Sequence, residues 1–270
     1  MTAPRRFPRL QGSRDPYRLR PLTAVRAMRR LIADKEDTQQ VFEIMRALNG
    51  RSTLNGYHRL LRTREGARQA YRRLELAELL DDRAYVEAFA PGTLGHAYAE
   101  FTRREGLSSQ GLAEESRKGL KPEEIVVEHP VAWFGRRTRD IHDLWHVLTG
   151  YGRDALGEAC LVAFSYAQTG GLGWAFIAAS AAFQYWRHDR RQPYVQAIWE
   201  GYRNGRAAEW LLGQDYETLL SQPLFAARAQ LNIREPRVYL SIPEPARDRQ
   251  LQTRAEPQAG AAETPQAQPA

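Results

Sequence analysis

"ACLVAFSYAQTGGLGWAFIAASAAFQYW", residues 159–186, runs for 28 residues without a formal charge, long enough to raise a bilayer-spanning helix as a first reading. Its middle argues otherwise. Gln168, Thr169, Gly170, Gly171 and Gly173 interrupt the apolar residues and leave two pieces, each too short to cross a bilayer comfortably. Two buried helices joined by a glycine turn are the expectation, which turns the fold from membrane span to helical bundle. Segments further out agree. Asp37 is placed to cap a helix whose Val41, Phe42 and Met45 share a face before Asn49 and Gly50 close it. In "EGARQAYRRLELAELL" Ala67, Ala70, Tyr71, Leu74 and Ala77 recur along one helical stripe, and after "PGTLG" Leu94, Tyr98 and Phe101 line an edge from which His96 points away. "EIVVEHP" and "RVYLSIP" read as extended pieces, too few and too isolated for a sheet core. The expected fold is all-α, a single-domain helical bundle.

Domain boundaries follow from composition. Residues 1–22 form an Arg-rich flexible arm, residues 23–242 the helical domain, and residues 243–270, rich in Pro, Gln and Ala without apolar period, a disordered tail. With 26% charged residues the chain reads as soluble rather than integral to a membrane. No charged-then-apolar leader opens it, so a cytoplasmic location is the default expectation. The net charge of +7 invites a nucleic-acid reading. Only three of the 39 basic residues are Lys, the Arg residues are interspersed with acids, and no zinc-finger, RNP or GxxG signature is present; nucleic acid is therefore excluded as a partner. The first thirty residues, nine Arg against Asp15 alone, could touch an anionic membrane surface at about 1 kcal/mol per basic residue; a solvated tail is the simpler reading.

Chemistry concentrates in "IHDLWHVLTGYGRDALGEACLVAF", residues 141–164. A helix from about Asp140 to Leu148 puts His142 and His146 on one face, close enough to share an ion. Asp143, turned about 100° from His142, reaches that ion from the flank or through a water, or orients a ligand instead. Gly150 and Gly152 break the helix, and a reversal through "GYGRD" returns Glu158 to the same place. Cys160 is the one cysteine, which rules out a thiolate-rich zinc site. Two imidazoles and one or two carboxylates, with a position left for water or substrate, are the ligand set of a catalytic zinc or non-haem iron centre. The competing account is a surface helix that carries an i,i+4 His pair. His58, His96, His129 and His188 lack comparable partners. The small residues Ala178, Ala179 and Ala182, at positions i, i+1 and i+4, leave room for an elongated groove and a long apolar ligand; the competing account there is ordinary core.

The stretch "HDLWHVLTGYGRDALGEACLVAF" resembles the hallmark of the coenzyme Q biosynthesis protein 4 family, His-Asp-x-x-His followed after eleven residues by Glu, here His142, Asp143, His146 and Glu158. The resemblance extends through "ADKEDTQQVFEIMRALNG", "PGTLGHAYAEF" and "GRAAEWLLGQDYETLLSQPLFAARAQLNI", most of residues 30–233, and excludes the Arg-rich arm and the tail from Pro243. It implies an all-helical protein, peripherally associated with the inner membrane and required for ubiquinone synthesis. It also implies a divalent metal, zinc or iron, on those four residues, which then serve as both ligands and catalytic groups. The implied reaction removes the ring carbon-1 carboxylate of a polyprenylated hydroxybenzoate, with or without hydroxylation of that carbon. Implied partners are this polyprenylated aromatic lipid, other ubiquinone biosynthesis enzymes, the membrane surface and, left open, a second copy of the chain. Two alternatives stand beside the decarboxylase: a non-catalytic prenyl-lipid scaffold that organises the biosynthetic enzymes, and a metal-dependent prenyl-phosphate phosphohydrolase.

Overall fold

Residues 17–34, 37–106 and 129–247 are described in the computed structural model. Most of the Arg-rich arm, most of the tail and the "EIVVE" part of one expected extended piece lie outside them. The described residues contain no strand; an isolated antiparallel bridge joins Thr93 and Pro223. The all-α expectation holds, and no described helix is long and apolar enough to cross a membrane.

Pro21 opens α1 (Pro21–Ala33), where its missing N–H costs nothing. This helix pairs with α2 (Thr38–Leu48) through Ala27, Met28 and Ile44. The buried face of α2 is Gln40, Ile44 and Ala47, with Val41, Phe42 and Met45 only half-buried. Asp37 makes no side-chain cap there; its carboxylate accepts from Gln40 Nε2 at 3.0 Å instead. Then follow α3 (Ser52–Leu60), α4 (Arg64–Arg72), α5 (Leu76–Asp81), α6 (Arg83–Glu87) and α7 (Leu94–Glu105). The stripe expected along residues 65–80 is broken. Arg73 adopts φ 48° and ends α4, because the residues after it serve α8 (Pro130–Asp140). Leu74 accepts from Trp133 Nε1 at 3.1 Å and Glu75 pairs with Arg136 at 2.6 Å. Tyr71, expected in the stripe, is left 90% exposed. On α7, Leu94, Tyr98 and Phe101 are buried as expected.

The opening stretch divides as expected into α10 (Ala155–Thr169) and α11 (Leu172–His188), with Gly170 in the left-handed region at φ 67°. Only the first of the two is buried. Leu156, Cys160, Leu161 and Phe164 on α10 are all at most 1% exposed, whereas α11 buries only Gly173, Ala178 and Tyr185 and keeps Phe183 and Trp186 outside. Against α10 lies α12 (Tyr194–Ala207), the most extensive helix pairing among the described residues. It is close because Gly201 and Gly205 carry no side chain: a Cβ there would stand 2.4 Å from the Cys160 carbonyl oxygen and 2.6 Å from that of Phe164. Gln168 is the hub at the far end of α10. It donates to the Gly205 carbonyl at 2.8 Å and accepts from the Leu211 amide at 2.8 Å, so a polar residue inside an apolar run is fully used.

Past a 3₁₀ turn (Leu211–Gly213), the chain continues as α13 (Tyr216–Leu220), α14 (Leu224–Gln230), α15 (Arg237–Ser241) and α16 (Glu244–Arg247). The "RVYLSIP" piece, expected to be extended, is thus helical over residues 237–241. A carboxylate from α12 makes the difference: Glu200 accepts from the Val238 and Tyr239 amides at 2.9 and 3.4 Å, satisfying donors that a helix start leaves open.

Candidate metal centre

The site is built on α9 (His142–Thr149), which follows α8 after Ile141 and ends on Gly150 at φ 78°. Every residue of α9 except His142 is buried. Arg228 on α14 closes its C-terminal end with a fork, Nε to the Leu148 carbonyl and Nη2 to that of Val147, both at 2.9 Å. Asp154 caps the start of α10 by accepting from the Gly157 amide at 2.9 Å. The reversal between the helices is anchored by Tyr239, whose hydroxyl donates to Asp154 and accepts from the Gly152 amide. This tight loop returns Glu158 to the face of the two histidines.

His146 is 1% exposed, and Phe101 stacks on its ring at 5.6 Å. Its Nδ1 lies 3.0 Å from the Tyr151 carbonyl oxygen, an acceptor only, so this nitrogen carries the proton. In the neutral ring Nε2 then offers a lone pair toward the Glu158 carboxylate 3.3 Å away, and it is a buried atom without a well-formed hydrogen bond. Two lone pairs facing each other repel. Either a proton on Nε2 or a cation between the groups resolves the conflict. Burial alone would lower the His146 pKa; the Glu158 carboxylate outweighs burial and raises it. Burial likewise pushes Glu158 up, but His146, His142 and Arg153 together bring it down to about 2.

His142 Nε2 stands 4.0 Å from Glu158, and its ring meets that of His146 edge-on at 4.9 Å. Asp143 lies on the other side of the His142 ring, Oδ1 at 3.4 Å from Nδ1. Donor atoms of His142, Asp143 and His146 all fall within 4.8 Å of one another. Ligands about 2.1 Å from one tetrahedral ion stand about 3.4 Å apart, close to the His146–Glu158 separation. The donor set could therefore hold a divalent ion, with His146 further oriented by a backbone carbonyl. Of the four residues expected from the sequence, His142, Asp143 and His146 bring donor atoms together, and Glu158 faces the Nε2 atoms of both histidines. The Glu158 side chain is 36% exposed, so the site opens to solvent on that side, next to Arg153 at 3.8 Å.

Phe101, the Tyr151 carbonyl, Arg153 and Arg228 are site components the sequence reading did not single out. Phe101 could be seen on a helix edge, but nothing in its spacing points to a histidine on another helix. The three small residues on α11 do not share one environment: Ala178 is buried, Ala182 half-buried and Ala179 exposed. They do not line the cleft of about 1050 Å³ beside Trp186 and Trp199. Among the other histidines, His129 caps α8 by accepting from the Val131 amide at 3.2 Å, and His96 pairs with Glu100 at 3.6 Å.

Residues 22–237 match the family model described as coenzyme Q (ubiquinone) biosynthesis protein Coq4. A ubiquinone biosynthesis protein COQ4 homologue of Danio rerio, named as mitochondrial, is 32% identical over 170 residues, covering 62% of this chain and 58% of the relative. A Bos taurus homologue with the same description is 29% identical over 191 residues, 69% of this chain and 68% of the relative. The match to a Botryotinia fuckeliana relative spans 51% of that protein, so the chain aligns with little more than half the length of some of these proteins. A crystal structure of a protein provisionally named for ubiquinone biosynthesis, from Nostoc punctiforme PCC 73102, superposes with a TM-score of 0.55 at 21% identity, covering 80% of this chain and all of that one; this likeness concerns the fold. The family match, which spans residues 22–237, places this chain in the Coq4 family of coenzyme Q biosynthesis proteins.

Proposed function

We propose that this protein acts in ubiquinone biosynthesis as a metal-dependent decarboxylase, removing the ring carbon-1 carboxylate of a polyprenylated hydroxybenzoate at a membrane surface, alongside other enzymes of the pathway. The observation that carries the reading is the His146 Nε2–Glu158 pair: a buried nitrogen facing a carboxylate at 3.3 Å within a ligand set open on one side. His142, His146 and Glu158 would hold zinc or iron, with Asp143 as a fourth ligand or as the group that orients His142. When bound, such an ion supplies Lewis acidity toward a carboxylate oxygen. Arg153 stands where it can pair with an incoming acid. The bond between ring carbon 1 and the carboxyl carbon breaks, carbon dioxide leaves, and the electron pair left on the ring takes a proton; replacement by hydroxyl would instead consume one dioxygen and one water and release hydrogen peroxide with the carbon dioxide. A prenyl chain beside Ala178, Ala179 and Ala182 would rest on the outer side of α11, since Ala179 is exposed. The relatives' names place those proteins in mitochondria, and a peripheral membrane location for this chain is part of the proposal.

The test is carbon dioxide release from a polyprenylated hydroxybenzoate by purified protein of known metal content. Wild-type protein is expected to release it and Glu158→Gln protein to lose most of the activity. Product carrying hydrogen at ring carbon 1 marks simple decarboxylation; hydroxyl at that carbon marks the oxidative form. Metal-replete protein that binds the lipid and releases no carbon dioxide, with or without dioxygen, would overturn the catalytic reading in favour of a lipid-holding organiser.

A further inference from the structure

The cleft of about 1050 Å³ lies between the end of α11, the face of α12 from Tyr194 to Asn204, and the segment from Arg234 into the start of α15. Its walls carry both signs of charge, but the acids are already engaged. Glu200 accepts from the Val238 amide at 2.9 Å, Asp189 from the Arg191 amide at 2.8 Å, and Glu235 pairs with Arg237 at 3.6 Å. Among the described residues, Arg190, Arg203 and Arg234 have no carboxylate partner. Arg190 is instead laid over the Trp186 ring at 4.3 Å. Four Arg against Asp189, Glu200 and Glu235 leave the lining a net charge of +1, and the planar fork of Arg suits phosphate or carboxylate oxygens.

The rest of the wall is apolar, and apolar surface continues beyond it. Trp186 and Trp199 are 47% and 59% exposed. From Trp186 a stacked row runs back along α11 to Phe183, ring centroids 6.0 Å apart; from Trp199 another runs through Tyr202 at 5.1 Å to Tyr166 at 5.8 Å. Large rings left in water beside unpaired guanidinium groups are uncommon on a surface with no ligand to bind.

We propose that this cleft is a second ligand site, separate from the metal centre, for an anionic amphiphile: a compact oxyanion held among Arg190, Arg203 and Arg234, carried on an apolar chain that lies along the Trp186 and Trp199 rows. The same chemistry is offered by a free single-chain amphiphile and by the headgroup of a bilayer phospholipid.

Dodecyl phosphate, below its aggregation threshold, serves as probe in isothermal titration calorimetry, with inorganic phosphate and dodecanol as controls. The wild-type protein is expected to bind dodecyl phosphate at least tenfold more tightly than either control. The Arg203→Gln/Arg234→Gln double variant and Trp199→Ala should each weaken it at least tenfold. All three positions are exposed, so the far-ultraviolet circular dichroism should stay unchanged. Glu158→Gln protein should bind the probe like wild type, which separates this site from the metal centre. Flotation with phosphatidylglycerol vesicles, absent in the double variant, would assign the anion to a lipid headgroup; probe binding without flotation would assign it to a free amphiphile. Equal affinity of wild type and double variant, or dodecanol binding as tightly as the phosphate, overturns the proposal.

Discussion

His146 assigns its two ring nitrogens to different tasks, Nδ1–H to the Tyr151 carbonyl and Nε2 to the space before Glu158. That division makes the metal assignment testable one residue at a time. His142→Ala, His146→Ala and Glu158→Gln should each lower metal content after dialysis against a mild chelator by at least tenfold, since even loss of a group that merely orients a ligand costs 10–100-fold in affinity. Undiminished content in all three would sink the assignment. Asp143→Asn separates that residue's two possible roles: a ligand would be lost with an effect comparable to the other three, whereas a group that orients His142 would cost the smaller factor. Much of this site was legible in the sequence, because a four-residue step on a helix and a glycine-broken reversal constrain where His142, His146 and Glu158 can go. Tyr151 was not legible as a partner. It contributes a backbone oxygen, which no residue type announces, and Phe101 and Arg228 arrive from helices whose placement depends on the whole packing.

Helix ends and helix crossings are where the sequence spoke less plainly. Polar "GYRNG" on α12 gives no apolar signal, yet its two glycines let α12 approach the α10 backbone more closely than any side chain would allow. Gly205→Ala should therefore overpack this crossing and cost about 1–3 kcal/mol, read as a lower urea midpoint with unchanged slope; a neutral result would mean that the helices separate freely. The reverse error concerned α11, whose apolar residues were expected inside and lie partly in water. Apolar periodicity identifies a helix but does not say whether another element covers it. At the end of α9 the Arg228 fork satisfies two carbonyls and sets a cation against the negative end of the helix dipole. Burial lowers the Arg228 pKa, so the charge is held at some cost and its hydrogen bonds must offset it. Arg228→Ala should destabilise by about 1.5–3 kcal/mol, and Arg228→Lys should recover only part of that loss, because an ammonium cannot reproduce the planar fork. Full recovery by Lys would leave charge alone as the explanation.

At the scale of the whole molecule, the question is whether the fold depends on the ion. One continuous hydrophobic cluster runs from Leu60 to Ile242 and takes in Leu144, Trp145 and Leu148 of α9 together with Leu156, Leu161 and Phe164 of α10. Both ligand-bearing helices are therefore seated by packing that does not pass through the metal centre. Small zinc domains differ, since their core is too small to hold the ligands in place without metal. Chelation should accordingly leave the helical circular dichroism signal intact at 25 °C while lowering Tm. An ion present at about 1,000 times its Kd stabilises the folded state by about 4 kcal/mol, and about 2–4 °C per kcal/mol applies at this chain length, giving an expected drop of about 8–16 °C. Restoring the ion should restore Tm, and Glu158→Gln protein should show little response to either treatment. If chelation instead abolished the helical signal at 25 °C, the ion would be a structural requirement of the fold. The open side at Glu158 would then no longer favour chemistry over architecture.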